Sequence, residues 1–332
     1  MSGFDNIGVI GGGAWGTALA QTLRLAGRRV TLWAREAEVV HDINERHVNA
    51  QFLPGVPLDP ALKATSSLDQ IASADVILMV APAQHVRNVA AELRGAMAPG
   101  KPVVNCAKGI ERATGRLMGD VLAETLPEAR LASLSGPSFA ADVARGLPTA
   151  LTLACDGEQL GRQLAEALGY RQFRLYWSGD RRGVEIGGAV KNVLAIAAGI
   201  VAGKALGASA HAALVARGFA ELTRFGAALG ADPQTFMGLS GLGDLILTCG
   251  SPQSRNMSLG RALGEGRSLA DVLGSRKAVT EGVWTAAAVV RIARERGVDV
   301  PIAQAVNAIV EGEATVDDAI AALLARPFRA EA

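Results

Sequence analysis

The sequence predicts an α/β domain with a mostly parallel, doubly wound sheet, followed by an all-helical domain. Three observations carry this. The chain has 332 residues, enough for two domains of about 100–200 residues each. Up to about residue 180, short β-rich runs alternate with helical ones, and beyond it Ala-rich helical runs follow one another. The strand-like runs are apolar almost throughout, as in parallel sheets covered on both faces.

In chain order, strands are expected at 6–11, 28–34, 74–81, 101–107, 129–136 and 149–155. Helices are expected at 14–27, 85–97 and 157–169 within the same half. "YWSGDRRG" (176–183) is polar and turn-rich and sets the boundary, giving domains 1–180 and 181–332. Helical patterns then run over 186–203, 209–229, 254–263, 280–296, 302–311 and 315–325. No 20–50-residue repeat interrupts them.

Charge is nearly balanced, Lys+Arg 33 against Asp+Glu 32, which removes any global electrostatic case for nucleic acid. Aromatic residues are only 4%, too few for base-stacking platforms. Cys106, Cys155 and Cys249 are odd in number, sparse and unpatterned, which argues against a disulfide framework and against a zinc site. The histidines show no metal-ligand spacing, and His41 and His47 are expected to face solvent. The N-terminus lacks the pattern of a signal peptide. The apolar run Val193–Gly203 is shorter than the ~20 residues a membrane span needs. A reduced, cytoplasmic protein is expected.

"IGVIGGGAWGTALA" places a glycine loop directly after the first strand and before a helix. Gly11 permits the tight turn, Gly13 lets a pyrophosphate approach the backbone, and Gly16 lets helix and strand pack closely. The helix N-terminus adds free N–H groups for phosphate. A dinucleotide is the expected ligand. At the end of the second strand, an acid would bind a ribose 2′-hydroxyl and an arginine a 2′-phosphate. Arg35 stands there, followed by Glu36, which favours NADP over NAD without excluding either.

Four further clusters stand outside plain packing logic. Lys108 in "CAKGIE" follows a strand at its C-terminal end, where ligands of open α/β sheets bind; a surface lysine is the alternative. In "SGPSFAADVARGLPT", Gly136 and Ser138 are expected to open a helix, as ligand contacts or as simple caps. In "GLSGLGDLILTC", Asp244 and Thr248 share a helix face. An acid beside so apolar a run needs a partner, unless it only caps the helix. In "SPQSRNMSLG", Ser251 or Ser254 caps a helix whose first turn carries Arg255 and Asn256. Backbone N–H groups, a guanidinium and an amide suit a phosphate monoester; a charged surface loop is the alternative.

Lys191 precedes the long apolar run of "GGAVKNVLAIAAGIVAG". Gly188, Ala195 and Ala198 keep one side of this helix small, and the glycines are expected to leave room for a substrate. The helix is apolar nearly all round and is expected at the centre of its domain. An ammonium there is costly unless it is paired or its pKa falls. It either serves a function or snorkels to water. Asp244 is a candidate partner.

Together, "GGGAWGTALA", "AKGIE", "SGPSFA", "GGAVKNVLAIAAGI", "GLGDLILTC", "QSRN" and "VTEGVWTA" resemble, in this order, the bacterial NAD(P)-dependent glycerol-3-phosphate dehydrogenases. The likeness spans about residues 6 to 302. It implies a Rossmann domain followed by a helical domain of the 6-phosphogluconate-dehydrogenase-like type. It implies hydride transfer between NAD(P)H and C2 of dihydroxyacetone phosphate. Lys191 would then be the acid/base, assisted by Asp244. Lys108, Gly136, Ser138, Thr248, Ser254, Arg255 and Asn256 would meet the substrate. Gly11, Gly13, Ala14, Trp15, Gly16 and Arg35 would meet the cofactor, as would Lys108, Ala140, Arg255, Val279 and Glu281. Ala14 and Ala107 depart from the polar residues usual in the family. A homodimer that supplies glycerol 3-phosphate to phospholipid synthesis is also implied.

Two other readings remain at this level. One is a related two-domain dehydrogenase acting on a hydroxy-acid such as 6-phosphogluconate. The other is a dinucleotide-binding sensor without catalysis.

Overall fold

The computed structural model describes residues 3–274 and 280–327. Strands β1 (Asn6–Ile10), β2 (Arg29–Trp33), β3 (Lys63–Thr65), β4 (Val76–Met79), β5 (Pro102–Asn105), β6 (Arg130–Ser135), β7 (Thr149–Cys155) and β8 (Phe173–Ser178) form one sheet. Its order is β3-β2-β1-β4-β5-β6-β7-β8. Only the β6–β7 pairing is antiparallel. The chain order reverses beside β1, which puts a crevice at the carboxyl ends of β1 and β4.

Helices α1 (Ala14–Leu25), α2 (Ala37–His41), α3 (Leu68–Ala72), α4 (Val86–Arg94), α5 (Met118–Thr125), α6 (Ala140–Ala144) and α7 (Glu158–Leu168) connect and cover these strands. The sheet buries two apolar layers: Val9, Leu19, Leu32 and Leu153 belong to one, Ile10, Ile77, Val103 and Leu122 to the other. Both faces are therefore covered, which is why the central strands read as unbroken apolar runs.

After Ser178 the described residues form helices and turns only: α8 (Arg181–Gly203), α9 (Ala208–Ala228), α10 (Pro233–Phe236), α11 (Asp244–Gly250), α12 (Arg255–Gly264), α13 (Leu269–Gly274), α14 (Glu281–Arg296), α15 (Pro301–Val310) and α16 (Val316–Leu324). Helix α8 is the core of this part. Val193, Ala195, Ile196 and Ala198 are fully buried among residues of α9, α11, α12 and α14. The helix is long and apolar enough to cross a membrane, but 89% of its apolar window is packed inside the protein.

Close approach of α8 and α12 rests on small residues. A Cβ on Gly199 would stand 2.0 Å from Met257 O, and one on Gly260 would stand 1.9 Å from Ile196 O. Only hydrogen at these positions lets the two backbones touch.

Three expectations need correction. Residues 176–178 are not turn but the end of β8, an edge strand whose Tyr176 and Trp177 are exposed. Its half-exposed pattern hid it. Helix α8 starts at Arg181 rather than 186, because the Asp180 carboxylate caps it by accepting from Gly183 N–H at 2.8 Å. Gly136 and Ser138 do not open α6, which starts at Ala140 with Phe139 at its N-cap. The Ser138 hydroxyl donates instead to Gly136 O at 3.1 Å.

Candidate active site

The glycine loop joins β1 to α1. Gly11 has φ +131°, and a Cβ there would stand 2.9 Å from the carbonyl of Val80. A Cβ on Gly16 would stand 1.9 Å from Gly11 O, so this glycine lets helix and loop pack. A Cβ on Gly13 would meet open space, so a ligand can approach the backbone here. Helix α1 has no side-chain cap and no acid in its first turn, which leaves its N–H groups for an anion. These features fit a dinucleotide.

Beside the loop, Ala14 is the first residue of α1, and the buried indole N–H of Trp15 has no partner among the described residues. Arg35 lies two residues past β2, with its side chain 74% exposed and a 3.4 Å contact to Glu36. Asn49 holds the loop from outside the motif: its amide donates to Gly12 O and to Thr17 Oγ1, both at 2.8 Å. Sequence reasoning missed Asn49, since nothing local marks it.

Lys108 lies three residues beyond the end of β5, and Gly136 one residue beyond the end of β6. Lys108 Nζ donates to Gly136 O at 2.9 Å and to Asp244 Oδ2 at 2.7 Å. Lys191, on α8, donates to Asp244 Oδ1 at 2.6 Å and to Thr248 Oγ1 at 2.8 Å. Asp244 is only 1% exposed and opens α11, directly after a π-helical turn over Leu239–Gly243. One buried carboxylate thus holds two ammoniums. Asp244, a candidate partner of Lys191 by sequence, does meet it; its sharing with Lys108 was not foreseen.

Burial lowers the Lys191 pKa to about 8, opposed by Asp244 and assisted by the nearby Lys108 charge. That value is close to neutrality, where proton transfer in either direction is efficient. An ammonium has three N–H donors. Each lysine uses two of them on the partners above, so one on each is left for a ligand.

The glycines before Lys191 do not leave room for a substrate. The space over Gly187 is taken by Ser240 O, and that over Gly188 by Ser135 Oγ, at 2.4 and 2.6 Å from where a Cβ would stand. They let α8 seat against protein.

Ser254, not Ser251, caps α12: its Oγ accepts from Met257 N–H at 3.2 Å. Arg255, exposed, and Asn256, buried, follow in the first turn. Asn256 enters an amide chain. Its Nδ2 donates to Asn192 Oδ1 at 3.0 Å, its Oδ1 accepts from Gly282 N–H at 3.0 Å, and Asn192 Nδ2 donates to Lys108 O at 3.1 Å. This chain joins α8, α12 and α14 to the Lys108 loop.

Glu281 opens α14 and accepts from Ala83 N–H at 3.0 Å. Its other oxygen, Oε2, is buried and has no partner among the described residues, and burial raises the Glu281 pKa against the Arg255 charge. Ala140 is the half-buried first residue of α6. Val279 lies outside the described residues. Among the described residues no group of three or more His, Cys, Asp or Glu side chains is arranged to hold a metal ion.

Known proteins resemble both halves. Residues 6–161 match the family described as NAD-dependent glycerol-3-phosphate dehydrogenase N-terminus, and residues 180–321 the corresponding C-terminus. The glycerol-3-phosphate dehydrogenase [NAD(P)+] of Parvibaculum lavamentivorans is 60% identical over 99% of this chain and 98% of its own length. That of Maricaulis maris is 58% identical over 100% and 99%. The crystal structure of glycerol-3-phosphate dehydrogenase from Coxiella burnetii superposes with a TM-score of 0.93 at 36% identity, covering 97% of this chain and 99% of that one. The chain belongs to the NAD-dependent glycerol-3-phosphate dehydrogenase family.

Proposed function

We propose that this chain catalyses reversible hydride transfer between NAD(P)H and C2 of dihydroxyacetone phosphate, giving sn-glycerol 3-phosphate, with Lys191 as acid/base. The observation that carries this reading is Asp244, buried and bridging Lys191 and Lys108 at 2.6 and 2.7 Å beyond the strand ends.

A bound nicotinamide supplies the hydride. The glycine loop, Trp15 and Arg35 would hold the dinucleotide on one side, and Lys108, Ala140, Arg255 and Glu281 on the other. Lys191 donates a proton to the ketone oxygen as negative charge develops there, and takes it back in the reverse direction. Asp244 keeps the ammonium charged despite burial. Thr248 and Asp244 together fix its direction. Lys108 adds a second N–H and a second positive charge next to the developing alkoxide. Arg255 and the N-terminus of α12, which Ser254 caps, anchor the phosphate. Binding energy far from C2 then holds the reacting carbon in place. Gly136 and Ser138 border the same space.

Lys191→Ala is expected to lower turnover by at least about 100-fold while NADPH still binds. Turnover near that of the wild type would sink the assignment. Assaying dihydroxyacetone phosphate against carboxylated substrates separates this reading from a 6-phosphogluconate-type enzyme. A sensor would bind NADPH and oxidise none of it.

The division into 1–180 and 181–332 is part of the same proposal, supported by the gap between β8 and α8. So are a slight preference for NADP, a homodimer, a cytoplasmic location and flux towards glycerol 3-phosphate for phospholipid synthesis. Sedimentation and paired NADPH and NADH assays test the dimer and the preference.

A further inference from the structure

We propose that Glu185 is a positioning residue for this reaction, which pins α8 to β6 and so sets where Lys191 stands. The proposal rests on the reading of Lys191 as acid/base.

Glu185 lies in the second turn of α8, with a side chain 6% exposed. A buried carboxylate is costly unless it is well partnered. Both of its oxygens find partners in the nucleotide-binding half. Oε2 accepts from Gly119 N–H, in the first turn of α5, at 2.9 Å, and Oε1 accepts from Ser133 Oγ on β6. Arg181, one turn earlier on α8, stands 3.7 Å away. Gly119 makes the contact possible: a Cβ there would stand 2.4 Å from Glu185 Oε1.

The contact is the far end of a seam. On α8, Glu185, Gly188 and Lys191 recur every three residues and share one face. On β6, Ser133 and Ser135 are two apart and share the opposing face. Glu185 meets Ser133, and the surface of Gly188 meets Ser135 Oγ. One residue further, Gly136 O holds Lys108, which shares Asp244 with Lys191. Helix and strand are therefore tied at both ends, with the acid/base group at one of them.

Lys191 lies six positions beyond Glu185, about 9 Å along the helix axis. Glu185 thus touches none of the reacting atoms. Nor is stability a sufficient account of it, since a buried ion pair is often replaceable by apolar groups at no loss. What an apolar pair lacks is directionality. Two hydrogen bonds, to a backbone N–H and to a strand hydroxyl, set both the rotation and the axial position of α8.

The test compares Glu185→Ala, Glu185→Gln, Ser133→Ala and Lys191→Ala in the full-length protein. It measures NADPH binding by fluorescence, thermal unfolding, and steady-state reduction of dihydroxyacetone phosphate. In Glu185→Ala, kcat per NADPH-binding site is expected to fall about 10- to 100-fold, the cost of misplacing a catalytic group by about 1 Å. The KM for NADPH should stay within about twofold. Glu185→Gln keeps the acceptor for Gly119 N–H and should recover most of the loss. Ser133→Ala removes one tie and should lower kcat with the same unchanged NADPH KM. Should Glu185→Ala fail to fold, Ser133→Ala and Glu185→Gln carry the test.

An unchanged kcat in folded Glu185→Ala, or in Ser133→Ala, overturns the proposal. So does a loss that Gln fails to relieve, which would make the charge, not the tie, the active feature. If Lys191→Ala retains turnover, it is the Lys191 reading that fails. If that variant collapses while the Glu185 and Ser133 variants do not, only the positioning role falls.

Discussion

Replacing Asp244 by Asn keeps the shape of the side chain and removes its charge. In the native site this one carboxylate, 1% exposed, faces two ammoniums at 2.6 and 2.7 Å. The variant leaves one buried cation, Lys191, and one partly buried cation, Lys108, next to each other without this counter-ion. Removing one partner of a buried ion pair costs about 3–5 kcal/mol. The part that falls on Lys191, about 2 kcal/mol, is roughly 1.5 pKa units at 1.36 kcal/mol per unit. The ammonium is the form that loses, so the Lys191 pKa moves down, from about 8 to roughly 6.5.

Ketone reduction needs the ammonium, so kcat falls as pH rises through that pKa. At pH 7.5 the protonated fraction would drop from about three-quarters to about one-tenth. Lost orientation adds up to about 100-fold more. The assay is NADPH consumption at saturating dihydroxyacetone phosphate between about pH 5.5 and 9. The descending limb is expected to move down by one to two units, with a lower plateau. A limb still near 8 would refute the electrostatic role given to Asp244, and a low-pH plateau within about threefold of the wild type would refute its orienting role.

Other outcomes follow from the same structure. Arg35→Ala should raise the KM for NADPH about tenfold at low salt, with little effect on NADH, and equal effects on both would remove Arg35 from the 2′-phosphate. Gly260→Ala forces a Cβ to 1.9 Å from Ile196 O and should cost about 1–3 kcal/mol or more in chemical denaturation; a neutral result would mean that α8 and α12 separate freely. Burial raises Glu221 from 4.5 to about 7, although it accepts from Ile302 and Ala303 N–H. A pKa raised on folding stabilises fully below the unfolded value, and that contribution is lost as pH rises through the folded one. Glu221→Gln should remove this loss, so its Tm relative to the wild type should rise between pH 5 and 8, by an amount worth about 3 kcal/mol. A difference independent of pH would contradict the shift.

Much of the molecule was legible because it depends on short-range physics. The glycine loop follows from steric needs within six residues. Helix α8 follows from an apolar surface all round, and the cap of α12 from a serine ahead of its first turn. Lys191 and Asp244 stood out because a charge beside an apolar run must be accounted for. Each of these is a property of a residue and its neighbours in the chain.

The tertiary structure decided the pairings. Lys108 and Asp244 are 136 residues apart, and no local pattern says that one carboxylate serves two lysines. Asn49, holding a loop 37 residues before it, carries no local mark either. Gly187 and Gly188 suggested an open space, yet their hydrogens seat α8 against Ser240 and Ser135. The edge strand β8 escaped notice because it is buried on little of its surface, so its side chains carry little of the pattern that burial imposes. Periodicity reports how strongly a segment is buried. Which surface buries it, and which polar group then meets which, is set by how the elements pack together.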